Sequence, residues 1–318
     1  MRDGPRLQSR ESRAEGSPDY RAAKEGLAHR WRWAAVVDIA GGDRVAFLQA
    51  QLTQDVQRLS AGQVLPAAGL TPKGKLIFIA GLVALPDRMR LLLPAISRER
   101  VLEHLKKYAA FQKVTVTDRS DDILRIGVHG PAGTTLPRPP AGDALLLPGE
   151  GEFSAEILAA VCDRDRIETW LGAAGSVSIS NETAETLRIE AGRPRFGQDA
   201  DESHLADEVG LEPAISTTKG CYVGQEIVAR MRTYGRVNKR LVGFRFPGGL
   251  LASGSLLKKP DEAQPGKLEW GRVTSAIVSP AFGPIGLGFA FRDVPPGGRL
   301  VDAAGSGRGA VVATLPFA

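Results

Sequence analysis

Cysteine is nearly absent: Cys162 and Cys221 are the 2 cysteines in 318 residues. That excludes a disulfide framework and a zinc site built from cysteines alone. Nor does the chain supply the four thiolates of an ordinary iron–sulfur site. Histidine is equally sparse. His29, His104, His129 and His204 lie far apart without metal-ligand spacing, so no metal site is expected. Long apolar runs are missing too. None approaches the ~20 residues that span a bilayer, and no membrane partner is expected. Charge of one sign is not in excess. Lys and Arg total 41 against 36 Asp and Glu, a balance of +5 that favours anionic ligands without requiring nucleic acid. The N-terminal stretch lacks the apolar core of a secretory signal and carries Asp3, Glu11, Glu15 and Asp19, which a transit peptide avoids. A cytoplasmic protein is expected, with a flexible tail over residues 1–30.

What remains is an ordinary globular composition, 43% hydrophobic and 24% charged. The length suggests two or three domains. From Trp33, WAAVVDIAG reads as a buried strand, with Asp43 as a cap for a helix whose apolar face is Val45, Leu48, Leu52, Val56 and Leu59. VLPAAGL, KLIFIAGLVAL and RMRLLLPA form a strand meander split by turn residues. Ser97 is positioned to cap the helix SRERVLEHLKKYAA, with Val101, Leu105 and Tyr108 inward. KVTVTD and ILRIGVHG read as strands, and the Pro/Gly-rich 131–143 as a subdomain edge. DRDRIETWLGAAG is a short helix, and Asn181 is placed to cap NETAETLRIEAG, which Gly192 stops. Residues 193–220 form a long polar loop of the kind that carries function. From Leu241, short apolar runs among glycines and prolines predict a small antiparallel barrel. The fold class is α+β, with two subdomains over 31–240 and a β-barrel over 241–318. Strands and helices do not alternate strictly, so a doubly wound sheet is not expected.

The densest chemical signal is KGCYVGQE, residues 219–226. Gly220 and Gly224 permit sharp turns or close approach. Cys221 precedes a predicted helix and stands two residues from the Lys219 ammonium, a setting that favours thiolate. A lone cysteine is also commonly a small packing residue, and Cys162 is read that way. Tyr222 and Trp270 have the chemistry to stack on a heterocycle, with the core as the plainer reading for Trp270. A second signal is LRIEAGRPRFGQD (187–199). Glu190 lies near a helix C-terminus, where the dipole disfavours an acid. Arg188, Arg193 and Arg195 cluster beside it and have the chemistry to hold a carboxylate tail. Dinucleotide, phosphate-loop, serine-hydrolase and metalloprotease motifs are absent.

KGCYVGQE closely resembles the signature of the YgfZ branch of the YgfZ/GcvT superfamily. RVAFLQAQLTQDV, TPKGKLIFIAGLV, LRIEAGRPRFGQD and GRVTSAIVSPAFGPIGLGFAF resemble further family segments, in family order. The resemblance implies three subdomains around a central channel that binds tetrahydrofolate. It implies a folate-binding accessory protein for assembly or repair of iron–sulfur proteins, including 4Fe–4S radical enzymes that modify tRNA. Iron–sulfur client or assembly proteins would be its partners. Cys221 matches the family's functional cysteine and Lys219 its neighbour; Gly220, Tyr222, Gly224, Gln225 and Glu226 complete the motif. Glu190 matches the acid that meets the pterin edge in the transferase branch, with Arg188 nearby. The alternative is a tetrahydrofolate-dependent aminomethyl or methyl transferase. Against it, the strand Gly74-Lys75-Leu76-Ile77-Phe78-Ile79 lacks the Asp that the glycine-cleavage T-protein carries there. Direct tRNA binding is not expected, because no basic stripe with interleaved aromatics is present.

Overall fold

The computed structural model describes residues 16–32, 34–131, 133–140, 142–149, 151–233, 237–260 and 269–318. The described chain opens on a capped helix. The Ser17 hydroxyl accepts from the Tyr20 amide, and Pro18 supplies a pre-set first position, giving α1 (Pro18–Glu25). Strand β1 (Ala28–Arg32) follows. The expected tail is therefore corrected from residue 16 onward; residues 1–15 and Trp33 lie outside the described residues. Tyr20 and Ala23 of α1 are buried, three residues apart on one face of a helix that is otherwise polar.

Sheet I contains β2 (Ala34–Ala40), β3 (Val64–Leu70), β4 (Leu76–Ala84), β5 (Arg88–Pro94) and β6 (Thr115–Asp118), in the order β3-β4-β5-β2-β6. One face is covered by α2 (Arg44–Gln51) and α3 (Arg98–Ala109), which bury Phe47, Leu48, Val101 and Leu105 against Ile39, Phe78 and Leu91. Four local expectations are corrected. Asp43 makes no cap bond; its carboxylate accepts instead from the Lys113 amide at 2.9 Å. Helix α2 ends at Gln51, so Val56 sits in a separate 3-10 turn. Ser97 caps nothing, and Tyr108 is exposed, because the inward stripe of α3 runs Val101, Leu105, Ala109 at steps of four.

Sheet II joins β7 (Ile123–His129), β8 (Leu145–Pro148), β9 (Ala155–Ala160) and the short β10 (Val177–Ser178) to β1, in the order β10-β1-β7-β9-β8. Helix α4 (Arg164–Ala173) packs Ile167 and Leu171 on it. The segment 131–143 links β7 to β8 within this one sheet. It is not a subdomain edge; the chain crosses between sheets at 119–122. Cys162 is exposed in the turn Val161–Asp163, not buried as expected. Val36, Val83 and Leu92 of sheet I meet Leu147 and Leu158 of sheet II.

Helix α5 (Asn181–Glu190) is capped by Ser180, which accepts from the Thr183 amide at 3.1 Å, rather than by Asn181. Gly192, at φ 67°, ends it in the left-handed region. After α6 (Gln225–Thr233) come β11 (Lys239–Arg245), β12 (Leu256–Lys258), β13 (Gly271–Ser279), β14 (Gly283–Phe291), β15 (Arg299–Asp302) and β16 (Gly309–Ala313). They close into a barrel in the order β11-β14-β13-β12-β15-β16 around Phe244, Phe246, Trp270 and Val273. Trp270 is thus a core aromatic. Helix α5 docks on the barrel through Ile189 against Ile285, Leu287 and Phe317. No helix among the described residues is long and apolar enough to cross a membrane.

α1 is tied to this centre by one buried acid. Tyr20 donates to Glu190 Oε1 at 2.8 Å, Ser279 donates to the same oxygen at 2.6 Å, and Lys24 pairs with Oε2 at 2.7 Å. Burial, with the bond to Glu190, pushes the Tyr20 phenol well above its usual range. Tyr20→Phe should therefore cost about 1–2 kcal/mol of unfolding free energy in a denaturant titration. No change would mean that α1 is an ornament of the surface.

Candidate functional site

A cavity of about 590 Å³ opens between sheet I, sheet II and the loop after α5. Its volume lies in the range of small-molecule sites. Sheet I supplies an apolar wall that includes Val64, Ile79, Ala80 and Leu92, and the loop adds Phe196 and Leu211. The opposite wall is basic. Arg30 and Arg32 project from one face of β1 at strand spacing. Arg125 comes from β7, and Arg188, Arg193 and Arg195 come from α5 and its loop. Arg32 and Arg125 share Glu156, at 2.8 and 2.6 Å. Arg195 bonds Glu185 at 2.5 Å and Gln198 at 3.1 Å.

Arg188 is buried and fully engaged. It bonds Glu185 (2.6 Å), Asp199 (2.6 Å), the Ser275 hydroxyl (2.8 Å) and the Arg193 carbonyl (2.5 Å). It shapes the wall and has no donor to spare for a ligand. Glu190 does not line the cavity. Tyr20, Lys24 and Ser279 occupy its carboxylate, so the geometry does not bring it to a pterin edge there. Among the described residues, the lining carboxylates are Glu152 and Glu156. Glu156 is committed to two arginines, which leaves Glu152 as the acid able to accept the paired N–H donors of an aminopyrimidine. The sequence reading missed Arg30, Arg32, Arg125 and Glu152. The i, i+2 arginines of AHRWR were the available signal, astride the end of the stretch read as tail.

The KGCYVGQE loop lies elsewhere. Neither Cys221 nor Lys219 lines the cavity, and Cys221 is exposed. Lys219 is buried, and its ammonium donates to the carbonyls of Gln49, Leu52 and Gln54 at 2.6, 2.6 and 2.8 Å. Its three protons are thus spent on the C-terminal end of α2, and it acts as a clamp for the loop rather than a counter-ion for Cys221. Burial lowers it to about 8, opposed by Asp55. Gly224, at φ 85°, lets the backbone pass the β3–β4 turn; a Cβ there would come within 2.7 Å of the Thr71 carbonyl. Gly220 sits in open space. Tyr222 is a core aromatic packed with Leu70, Leu76 and Phe196, not a free stacking platform. Gln225 and Glu226 form the first turn of α6, and Glu226 pairs with Arg230 on its exposed face. Among the described residues, no group of three or more His, Cys, Asp or Glu is arranged to hold a metal ion.

No family model matches the sequence. A protein of Yersinia pseudotuberculosis named tRNA-modifying protein YgfZ is 32% identical over 229 residues, covering 65% of this chain and 66% of that relative. The protein of the same name in Yersinia pestis matches to the same extent. The chain belongs to the YgfZ branch of the YgfZ/GcvT superfamily. It spans just under two thirds of the length of these YgfZ relatives. Among solved structures, the glycine cleavage system aminomethyltransferase T of Bartonella henselae superposes with a TM-score of 0.83 at 20% identity, over 94% of this chain and 88% of that one. The YgfZ-branch sequence therefore carries the GcvT-like fold, with its closed C-terminal barrel.

Two measurements check the site. Lys219→Met should cost roughly 2–4 kcal/mol, because three carbonyls lose their donor. Lys219→Arg should not restore it, since a planar fork does not converge on three carbonyls. Equal stability of all three proteins in urea would refute the clamp. The second concerns His129, which lies against Phe153 and hydrogen-bonds the Glu152 carbonyl at 3.0 Å, bracing that cavity wall. Burial lowers its pKa from 6.5 to about 4. Between these values the unfolded chain binds the proton and the folded one does not, so stability falls as pH falls from 6.5 toward 4. His129→Gln should flatten that part of the stability–pH curve; an unchanged slope would contradict the assignment.

Proposed function

We propose that this chain is a folate-binding accessory factor of the cytoplasm that supports assembly or repair of iron–sulfur proteins, among them 4Fe–4S enzymes that modify tRNA. The cavity fits a folate by its chemistry. One wall is apolar enough for a heterocycle, one carries cations for a carboxylate tail, and Glu152 offers a carboxylate for the pterin edge. The buried Nε of Arg30, without a hydrogen-bond partner, supports an anionic ligand on the basic wall.

The observation that carries the accessory role is the separation of Cys221 from the cavity. A thiol outside the ligand chamber meets what arrives from solution, and Lys219 holds its loop in place for that encounter. One thiolate does not hold a cluster, so the remaining ligands would come from a partner protein or a small thiol. The transferase reading has less support. The cavity surface of β4 is Ile79, Ala80 and Gly81, which offers no acid to manage a proton at a reacting folate nitrogen. Bound folate would instead act as a ligand whose occupancy stabilises the fold by mass action.

Complementation tests this reading. In a bacterial strain lacking its own YgfZ-type protein, the wild-type chain should restore 4Fe–4S enzyme activity and Cys221→Ser should not. Equal rescue by Cys221→Ser would remove the thiol from the account. Steady turnover of a methylamine donor with tetrahydrofolate would replace it with the transferase.

A further inference from the structure

Helix α3 ends on an apolar side chain that the fold leaves outside. Its inward stripe is Val101, Leu105 and Ala109, and the chain returns to the same core at Val114. The turn between them is tight. The Gln112 amide donates to the Ala109 carbonyl at 3.0 Å, and the Val114 amide to the Gln112 carbonyl at 2.8 Å. Phe111 falls between the two core-facing positions and stands in solvent, 97% exposed. No other large apolar side chain among the described residues is as exposed. Tyr108, one turn earlier on α3, is exposed as well.

The surroundings are cationic. Lys106, Lys107 and Lys113 are exposed, and among the described residues no carboxylate ion-pairs with them. Over residues 103–113 these three lysines face one carboxylate, Glu103, an excess of two positive charges. Asp43 also reaches the turn, where it accepts from the Lys113 amide, but Arg44 beside it offsets its charge. A single apolar side chain on a surface is ordinary. Two aromatics ringed by unpaired cations have instead the make-up of an interface centre and its rim.

The patch also lies close to the thiol loop. His104 of α3 meets the last residue of α2, with Nε2 and Gln51 Oε1 3.1 Å apart, and its ring packs 5.0 Å from that of Tyr108. The cysteine loop joins α2 one residue earlier, where the Val223 amide donates to the Ala50 carbonyl at 3.1 Å. One helix therefore links the aromatic patch to the loop that exposes Cys221.

We propose that Tyr108 and Phe111, ringed by Lys106, Lys107 and Lys113, form the docking face for an acidic partner protein. The partner seats Phe111 in an apolar hollow rimmed by carboxylates and presents its own ligands to Cys221. The proposal rests on the accessory reading above and names where the partner binds. The lysines steer an acidic surface and the aromatic anchors it. A nucleic acid fits less well. Three lysines at one helix end make no track for a phosphate backbone, and the Tyr108 ring already lies against His104 and Lys107, which leaves one free ring. One aromatic is also too little apolar area to hold a bilayer.

Photo-crosslinking from position 111, through Phe111→p-benzoylphenylalanine, tests this in the complemented bacterial strain beside 4Fe–4S enzyme activity. The adduct should be a protein whose crosslinked surface is rich in Asp and Glu, and Lys106→Glu with Lys107→Glu should abolish it. Phe111→Glu should lower the rescued activity at least about tenfold, and Phe111→Trp should retain it. Thermal midpoints should stay at the wild-type value, because all three side chains are exposed. An adduct degraded by ribonuclease, one extracted with lipid, or one between two copies of this chain would overturn the docking face. So would full rescue by Phe111→Glu where Cys221→Ser fails, which leaves the accessory reading standing. Equal rescue by Cys221→Ser, or none by the wild type, would overturn that reading and the docking face with it.

Discussion

Arg188 donates to Glu185 on its own helix, to Asp199 and the Arg193 carbonyl on the loop that follows, and to Ser275 on β13 of the barrel. Asp199 in turn accepts from the Thr274 and Ser275 hydroxyls and the Arg195 amide. Buried charge of this kind is expensive to desolvate and holds only when every donor is met; removing one partner typically costs about 3–5 kcal/mol. Here the donors are met by three different parts of the fold. The network fixes the loop 193–199 against the barrel, and that loop is the basic rim of the cavity. It also consumes Arg188, which keeps no donor for a ligand.

The consequence is a molecule with two separated chemical faces. The cavity, set between the two sheets, is apolar on one side and cationic on the other, and among the described residues its one uncommitted lining acid is Glu152. The KGCYVGQE loop is pinned by Lys219 to the end of α2 and by Gly224 to the β3–β4 turn, with Cys221 turned to solvent. β4 connects them. Its start meets the loop's turn, and Ile79, Ala80 and Gly81 line the cavity. A ligand resting on sheet I therefore touches the strand whose turn supports the cysteine loop.

Much of this was legible in the residues. The short apolar runs from Leu241 became the strands of the barrel, because turn glycines and prolines delimit short strands plainly. The stripe Val101, Leu105 announced α3 for the same periodic reason. What was not legible depended on tertiary contact. Helix α1 is short and mostly polar, and its hold is a phenol and an ammonium meeting one buried carboxylate. Glu190 stood out as an acid in a poor place for the helix dipole, but its partners came from residues far away in sequence. Arg30, the last residue of the expected tail, and Arg32 just after it did not stand out, because a cavity wall and a surface look alike in one dimension. Lys219 looked like the neighbour of a thiolate. Only the fold shows that its ammonium is turned inward.

Hydrogen exchange with and without 5-formyltetrahydrofolate tests most directly the claim that ligand chamber and thiol loop are distinct. The account predicts protection over residues 28–32, 152–156 and 193–198, with the loop 219–224 unchanged. Protection centred on 219–224, or no protection along the cavity walls, would contradict it.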